Sequence, residues 1–359
     1  MPEPSPLAVL RVALPQLLEV LPPGPCIEVL RALPGLTQGV PAGIRWHAEQ
    51  GFRPLHASLV AEGVPTRCEP SLPDGDASSL VATSPADAIV VLPPRSREEG
   101  RALLARALGE VAVGGTVFAA ALNDEGARSV EKDLAALAPL AGTLSKAHGR
   151  ACWTVPRPPL LAEQARALAE RWIAADAPRR DPASGFWVRP GVFNEGRLDA
   201  GSALLIEYLP AGLCGRVADL GAGSGLLSMA VLERCPGVRS ITLFEAEARA
   251  LDLARRNLAG ASIPIEFHWH DVAAGLPGRF DAVVCNPPFH LGSRGVPALG
   301  RAFIAAAARA LEREGQLLLV ANRHLPYEEA LREVFGRGEL LAEQGGFKAY
   351  RAWAPRAAA

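Results

Sequence analysis

The sequence predicts an α/β chain in which one plan, a mostly parallel sheet flanked by helices, is used twice in tandem. Three observations carry this. From residue 216 onward, apolar runs at 216–220, 240–245, 265–270, 281–285 and 316–321 alternate with segments at 226–234, 246–258, 297–313 and 327–335. The runs suit strands buried on both faces, and the three-to-four spacing of apolar residues in the other segments suits helices that cover those faces. A Gly-rich turn, Gly221-Ala222-Gly223-Ser224-Gly225, joins the first run to the first helical segment. Finally, Asp87-Ala88-Ile89-Val90-Val91-Leu92-Pro93-Pro94 returns 194 residues later as Asp281-Ala282-Val283-Val284-Cys285-Asn286-Pro287-Pro288.

The duplication continues in order along the chain. Each copy runs on into a helical segment (98–108; 297–313), a Gly-led strand (115–121; 315–321) and a basic, aromatic strand (149–153; 347–351). One apolar run recurs by chance, whereas three aligned features mark a repeat. In the second copy, 339–344 and 347–353 flank Gly345-Gly346 and predict a hairpin that adds an antiparallel edge. The expected boundaries are a first domain at 1–155, a linker and helix at 156–186 that opens with the stiff stretch Pro156 to Pro159, and a second domain at 187–359.

Composition narrows the function. With 359 residues, 49% of them hydrophobic, the chain is long enough for two cores. Lys plus Arg number 37 against 38 Asp plus Glu, a net charge of -1, so a nucleic-acid partner has to be met by local patches. Candidates are Arg179, Arg180, Arg189, Arg197, Arg294, Arg323, Lys348 and Arg351. The six cysteines show no metal-ligand or C-x-x-C rhythm, which predicts reduced thiols in a cytoplasmic protein. No basic leader and no membrane-length apolar stretch is present, so no membrane partner is expected.

The turn after residue 220 brings a ligand close to backbone. Alone it fits a nicotinamide, flavin or S-adenosylmethionine site, or a purely structural turn. Glu245 ends the next strand about 20 residues on, where a carboxylate accepts from ribose hydroxyls or merely caps. Asp271 ends the strand after that and is placed to accept from an adenine amino group, with a loop turn as the alternative. His268 and His270 share a strand face but have no third ligand at metal spacing; packing is expected, and no metal.

The run Asn286-Pro287-Pro288-Phe289 supplies the chemistry. If the Asn286 Oδ1 and the Pro287 carbonyl accept the two N–H bonds of a conjugated amine, its lone pair is turned toward an electrophilic methyl. Phe289 would stack on a base brought out of its helix. The competing reading is a Pro-rich loop ended by a core Phe. In the first copy Leu92 replaces Asn286 and Arg95 replaces Phe289, and the first loop there, Ile27 to Gly35, lacks the Gly221-Ala222-Gly223-Ser224-Gly225 glycines.

On these residues the second half resembles the class I S-adenosylmethionine-dependent methyltransferases, and more narrowly the ribosomal RNA guanine-N2 methyltransferases of the RsmC and RlmG type. The resemblance covers 187–353. It rests on Pro190-Gly191-Val192-Phe193, Leu198-Asp199-Ala200-Gly201-Ser202, the stretch Asp219 to Gly225, Asn286-Pro287-Pro288-Phe289-His290, and Val320 to Tyr327. Adenine-N6 and glutamine-N5 enzymes look instead like Asn-Pro-Pro-Tyr. The resemblance implies two tandem Rossmann-like methyltransferase domains, the N-terminal one degenerate, the C-terminal one catalytic with a seven-stranded, mostly parallel sheet. It implies S-adenosylmethionine as cofactor, S-adenosylhomocysteine as product, and ribosomal RNA or a ribosomal subunit as partner of a monomer. RsmC-type methylation of 16S RNA is the first expectation. RlmG-type 23S methylation is the second, then a protein-glutamine or DNA-adenine enzyme, then a non-catalytic ribosome-assembly binder.

By position, the resemblance puts Asp219, Gly221, Ala222, Gly223 and Gly225 around the methionine part of the cofactor, Glu245 at its ribose and Asp271 at its adenine. Asp199, Ser202 and Asn286 face the cofactor as well, although Asp199 is equally suited to cap the helix beginning near Gly201. Asn286, Pro287 and Phe289 are the catalytic candidates. Phe193, Pro288, Phe289 and His290 are the substrate candidates, with a core role the alternative for Phe193. The first domain is left with RNA recognition and support of the fold.

Overall fold

Two seven-stranded sheets with one strand order account for the repeat. In the first, β1 (Cys26–Leu30), β2 (Arg45–Glu49), β3 (Thr66–Arg67), β4 (Ala88–Val91), β5 (Thr116–Leu122), β6 (Leu140–Lys146) and β7 (Gly149–Thr154) lie in the order β3-β2-β1-β4-β5-β7-β6. All of its pairs are parallel except β5 with β7 and β6 with β7. Its helices are α1 (Pro6–Leu18), α2 (Arg53–Ala61), α3 (Arg97–Glu110), α4 (Ala127–Leu137) and α5 (Glu163–Asp176). After a two-stranded ribbon, β8 (Arg179–Arg180) and β9 (Trp187–Val188), the second copy begins at α6 (Ala200–Glu207).

The second copy continues with β10 (Cys214–Leu220), α7 (Leu226–Arg234), β11 (Gly237–Glu245), α8 (Ala248–Asn257), β12 (Ile265–Trp269) and β13 (Phe280–Cys285). A short ribbon, β14 (His290–Leu291) and β15 (Arg294–Gly295), precedes α9 (Pro297–Ala310), β16 (Leu311–Asn322), α10 (Tyr327–Val334), β17 (Phe335–Gln344) and β18 (Phe347–Pro355). The order β12-β11-β10-β13-β16-β18-β17 repeats that of the first sheet, with β16–β18 and β17–β18 antiparallel. The structure, a computed structural model, describes residues 5–69, 85–193, 198–288, 290–291, 294–295 and 297–356.

Each sheet is buried on both sides, which is why its strands read as apolar runs. Along β13, Ala282 and Val284 enter a core with Leu205 of α6 and Val231 of α7, while Val283 and Cys285 enter a core with Ile304 of α9 and Leu331 of α10. Side chains of a strand alternate between its faces, so six residues supply both layers. Among the described residues, no helix is long and apolar enough to cross a membrane.

The chain divides into two compact units, 1–178 with 189–191 and 179–188 with 192–359. The stretch expected as a linker and helix at 156–186 differs from this. Backbone bonds between Arg157 and both Gly114 and Gly115, at 2.8 and 2.7 Å, pin its start to the first unit. Ala169, Leu168 and Trp172 of α5 then pack into that unit's core. The helix expected to reach residue 313 stops at Ala310, because Leu311, 1% exposed, pairs with Phe280 as the first residue of β16. Between β13 and α9 the backbone forms the antiparallel pair β14–β15.

Candidate functional site at the ends of β10 and β13

The strand order of the second unit turns at β10 and β13: the chain runs outward from β10 through β11 to β12, and outward the other way from β13 to β16. Loops after such neighbouring strands part company, leaving a crevice at their carboxyl ends. Leu220 pairs with Cys285 across the two strands, so Gly221 and Asn286 leave the sheet side by side.

The Gly-rich turn is built to leave backbone exposed. Gly221, Gly223 and Gly225 have φ of 67°, 56° and 86°, in the left-handed region that costs other residues roughly 1 kcal/mol or more. A Cβ on Gly221 would lie 3.2 Å from Cε1 of Phe303, whereas one on Gly223 would meet no described atom within 4 Å. The crest of the turn therefore faces open space. Its base is tied to β11 by N–H groups of Gly221 and Ala222, which donate to the Phe244 carbonyl at 2.8 and 3.2 Å. Asn257 Nδ2 donates to the Ser224 carbonyl at 3.0 Å, and its Oδ1 accepts from the Trp187 N–H at 2.7 Å.

Two carboxylates sit beneath and beside this turn. Asp219, fully buried, accepts from the Ser228 N–H at 3.1 Å and hydroxyl at 2.7 Å through Oδ2, while Oδ1 has no partner among the described residues. Burial pushes its carboxyl up to about 7 against those two bonds. Glu245 is also raised by burial, an effect the bonds it accepts oppose: Oε2 from the Gly223 N–H and Oε1 from the Glu247 N–H, each at 2.8 Å. The orphaned Oδ1, the fixed acid at the end of β11 and the open crest fit a polar nucleoside cofactor lying along the turn.

Across the crevice, Asn286 is half-buried, Pro287 buried and Pro288 exposed. The Asn286 Nδ2 donates to Asp199 Oδ1 at 3.3 Å and to Ser202 Oγ at 3.0 Å. Asp199 also caps α6: the same Oδ1 accepts from the N–H groups of Gly201 and Ser202, each at 3.0 Å. The cap weighed for Asp199 in the sequence therefore forms, and the same oxygen also meets the Asn286 amide.

Other expected residues fall less centrally. Asp271 Oδ1 accepts from the Ala273 N–H at 2.9 Å and so caps the short turn Val272–Ala274 beyond β12. Phe193 is 58% exposed, which removes the core reading for it. Phe289 lies outside the described residues, as does the side chain of His290. His268 and His270 pack on Phe244 with ring centroids 5.1 and 5.6 Å away, and His270 Nε2–H donates to the Gly275 carbonyl. No cluster of three or more His, Cys, Asp or Glu suited to a metal occurs among the described residues.

Of the basic candidates, Arg189 is paired with Asp176 at 2.7 Å, Lys348 with Glu328 at 2.7 Å, and Arg351 donates to Gln316 at 2.7 Å. These serve the fold. Arg179 and Arg180 are exposed, with Arg180 over the Trp187 ring; Arg197 and the side chain of Arg294 lie outside the described residues. Sequence reasoning missed Ser228, Asn257 and Phe303. Ser228 had a signal, one helical turn beyond Gly225 where a hydroxyl can reach back to Asp219; the other two are fixed only by tertiary packing.

Residues 183–351 match the family described as Methyltransferase small domain. The chain is 35% identical over 272 residues to ribosomal RNA small subunit methyltransferase C of Salmonella paratyphi A, covering 74% of this chain and 75% of that protein. Against the Escherichia coli O7:K1 protein of the same name it is 34% identical over 283 residues, 76% of this chain and 78% of the other. Among solved structures, the Thermus thermophilus 16S rRNA N2 G1207 methyltransferase, in complex with AdoMet and guanosine, superposes with a TM-score of 0.74. That likeness covers 97% of this chain and 91% of that one at 23% identity, and it speaks for the two-unit fold.

Proposed function

The chain belongs to the family of ribosomal RNA small subunit methyltransferase C, and from that premise we propose that it transfers a methyl group from S-adenosylmethionine to the N2 amine of a guanine in 16S ribosomal RNA. The carrying observation is the side-by-side exit of Gly221 and Asn286 from paired strands, which sets a cofactor turn against an amide acceptor. S-adenosylmethionine supplies an electrophilic methyl on sulfonium and leaves as S-adenosylhomocysteine. The turn from Asp219 to Gly225 would hold its methionine part, Glu245 its ribose and Asp271 its adenine.

The acceptor amine is a poor nucleophile while its lone pair is delocalised into the base. Asn286 Oδ1 and the Pro287 carbonyl accept its two N–H bonds, which points the lone pair toward the methyl and stabilises positive charge as it develops on nitrogen. No strong base is needed before transfer, because the alkylated nitrogen loses its proton readily afterwards. Phe289 stacks on the flipped base, with Pro288, His290 and Phe193 on the substrate side. The enzyme works in the cytoplasm as a monomer without a metal, and the first unit recognises RNA.

The test supplies the purified chain with methyl-labelled cofactor and, separately, 16S RNA, small subunits, 23S RNA, and unmethylated protein or DNA. Mass spectrometry then maps the product. A single N2-methylguanine in 16S RNA is expected; label on 23S RNA, on an adenine or on glutamine, or no label at all, overturns the proposal.

A further inference from the structure

An amide side chain has two ends of nearly equal size and opposite hydrogen-bonding sense, and the end that faces the substrate decides what the site takes. With Oδ1 outward, Asn286 accepts from an amine; with Nδ2 outward, it donates to a carbonyl. The guanine edge carries both kinds of group, N–H donors at N1 and N2 and an acceptor at O6. The difference therefore selects the atom presented to the methyl.

We propose that Asp199 and Ser202 are positioning residues that lock the Asn286 amide with its Oδ1 toward the methyl acceptor. The inference rests on the methyl-transfer reading above and deepens it. Asn286 Nδ2 reaches Asp199 Oδ1 at 3.3 Å and Ser202 Oγ at 3.0 Å. An ionised carboxylate only accepts, so a turned amide would set Oδ1 against a carboxylate oxygen. Ser202 anchors the amide nitrogen without setting its sense, since a hydroxyl both donates and accepts; the sense of the lock comes from Asp199. Asp199 is itself held still by the N–H groups of Gly201 and Ser202, each at 3.0 Å, at the start of α6. Ser202 is 5% exposed and pointed at the same nitrogen. A rigid helix start thus fixes an acceptor, and the acceptor fixes the amide.

One variant keeps the helix cap and removes the charge from the lock, Asp199→Asn. Asn caps a helix as well as Asp does, and its Oδ1 still meets both the cap and the Asn286 amide, but as a neutral acceptor it holds that amide less firmly. For the full-length Asp199→Asn chain, thermal midpoint and S-adenosylmethionine affinity should stay at wild-type values while kcat on 16S RNA falls about tenfold, as charge-assisted hydrogen bonds exceed neutral ones by that order. Asp199 acting as a cap only would be rescued in both readouts, and wild-type kcat in Asp199→Asn overturns the lock. Ser202→Ala keeps every cap bond, because the cap uses the Ser202 backbone; its kcat should fall about threefold to tenfold. If Asp199→Asn fails to fold, Asp199→Ser decides, since Ser also caps a helix but replaces the carboxylate with a hydroxyl that sets no sense: a reduced kcat at unchanged S-adenosylmethionine affinity supports the lock and an unchanged kcat refutes it. Failure of the underlying function looks different, for the wild-type chain would then transfer no methyl to 16S RNA.

Discussion

The two copies of the strand-to-helix turn can be compared residue by residue, because sheet register fixes the match. Ile27 pairs with Ala88 as Val217 pairs with Ala282, so Arg31 stands where Gly221 does and Ala32 where Ala222 does. Arg31 keeps the left-handed backbone, φ 59° against 67° for Gly221, though it is not a glycine. The Ala32 N–H donates to the Glu49 carbonyl at 3.0 Å, as Ala222 does to Phe244 at 3.2 Å. Gln50 takes the place of Glu245 and accepts from the Phe52 N–H at 2.9 Å, as Glu245 accepts from Glu247. One peptide differs. Gln50 Nε2 donates to the Ala32 carbonyl at 2.7 Å, whereas Glu245 accepts from the Gly223 N–H. The same peptide unit shows its oxygen to an amide in one copy and its N–H to a carboxylate in the other. The path of the turn is architecture and survives; the charge at the strand end, the carboxylate at 219, replaced by Val29, and the amide at 286, replaced by buried Leu92, are the groups to which the proposed chemistry is assigned, and they do not survive.

The sharpest way to break this contrast is at Asn286 and Leu92. Asn286→Ala should lower methyl transfer at least about a hundredfold, the scale of losing one preorganised hydrogen-bonding group, with cofactor affinity within about twofold of wild type by calorimetry. Leu92→Ala should leave kcat alone and cost about 2 to 5 kcal/mol in chemical denaturation, as a buried Leu truncation does. Normal turnover in Asn286→Ala, or lost turnover in a folded Leu92→Ala, would erase the division of labour between the copies.

Exchanging turn residues tests the comparison next. Gly221→Arg copies the first unit; its Cβ would crowd Phe303 and its side chain would fill the cofactor crevice, so affinity for S-adenosylmethionine should fall at least about a hundredfold, whereas Arg31→Gly should leave that affinity unchanged. Glu245→Gln should weaken cofactor binding about tenfold, because Gly223 and Glu247 each donate to a different carboxylate oxygen, and one of these N–H groups would face the NH2 of the new amide. The reverse change, Gln50→Glu, sets a carboxylate against the Ala32 carbonyl and should cost about 2 kcal/mol of stability without creating a second cofactor site. A binding stoichiometry of two in Gln50→Glu would show that the first turn lacks only a charge.

Much of this was legible in the sequence, and the limits have physical causes. The repeat, both sheets and the crevice at Gly221 and Asn286 follow from apolar periodicity and two Pro-Pro runs, since buried parallel strands leave little compositional freedom. The match of Gln50 to Glu245 was hidden, because it rests on strand register and not on shared residue type. Asp199 carried two readings, facing the cofactor or capping α6, because one residue type suits both; its contact with Asn286 belongs to neither and depends on tertiary position. The linker boundary was misplaced because Pro156 and Pro159 look like a spacer in sequence, while Arg157 between them uses its backbone to continue the β5–β7 pairing at Gly114 and Gly115, within the first sheet.

The smallest effect lies in an ion pair that both copies retain. Ala121 faces Arg150 and Ala321 faces Lys348 in the two sheets, and each basic residue reaches a helix glutamate, Arg150 to Glu131 at 2.6 Å and Lys348 to Glu328 at 2.7 Å. Glu328 also accepts from the Tyr350 hydroxyl at 2.6 Å. Burial works to raise its carboxyl, but the bonds from Lys348 and Tyr350 outweigh it and bring Glu328 down to about 2. A depressed acid stabilises the fold above its unfolded value near 4.5 and loses that contribution as pH falls toward 2. The side chain is 34% exposed, so solvent screening reduces the gain to about 1 kcal/mol. Glu328→Gln should therefore be about 1 kcal/mol less stable than wild type at pH 7 in urea, with less than about half of that deficit left at pH 3. Glu131→Gln, whose pair has no tyrosine hydroxyl, should lose less at pH 7. A Glu328→Gln deficit that is undiminished at pH 3 would assign the loss to packing and not to charge, and would remove the ion pair from what the two copies share.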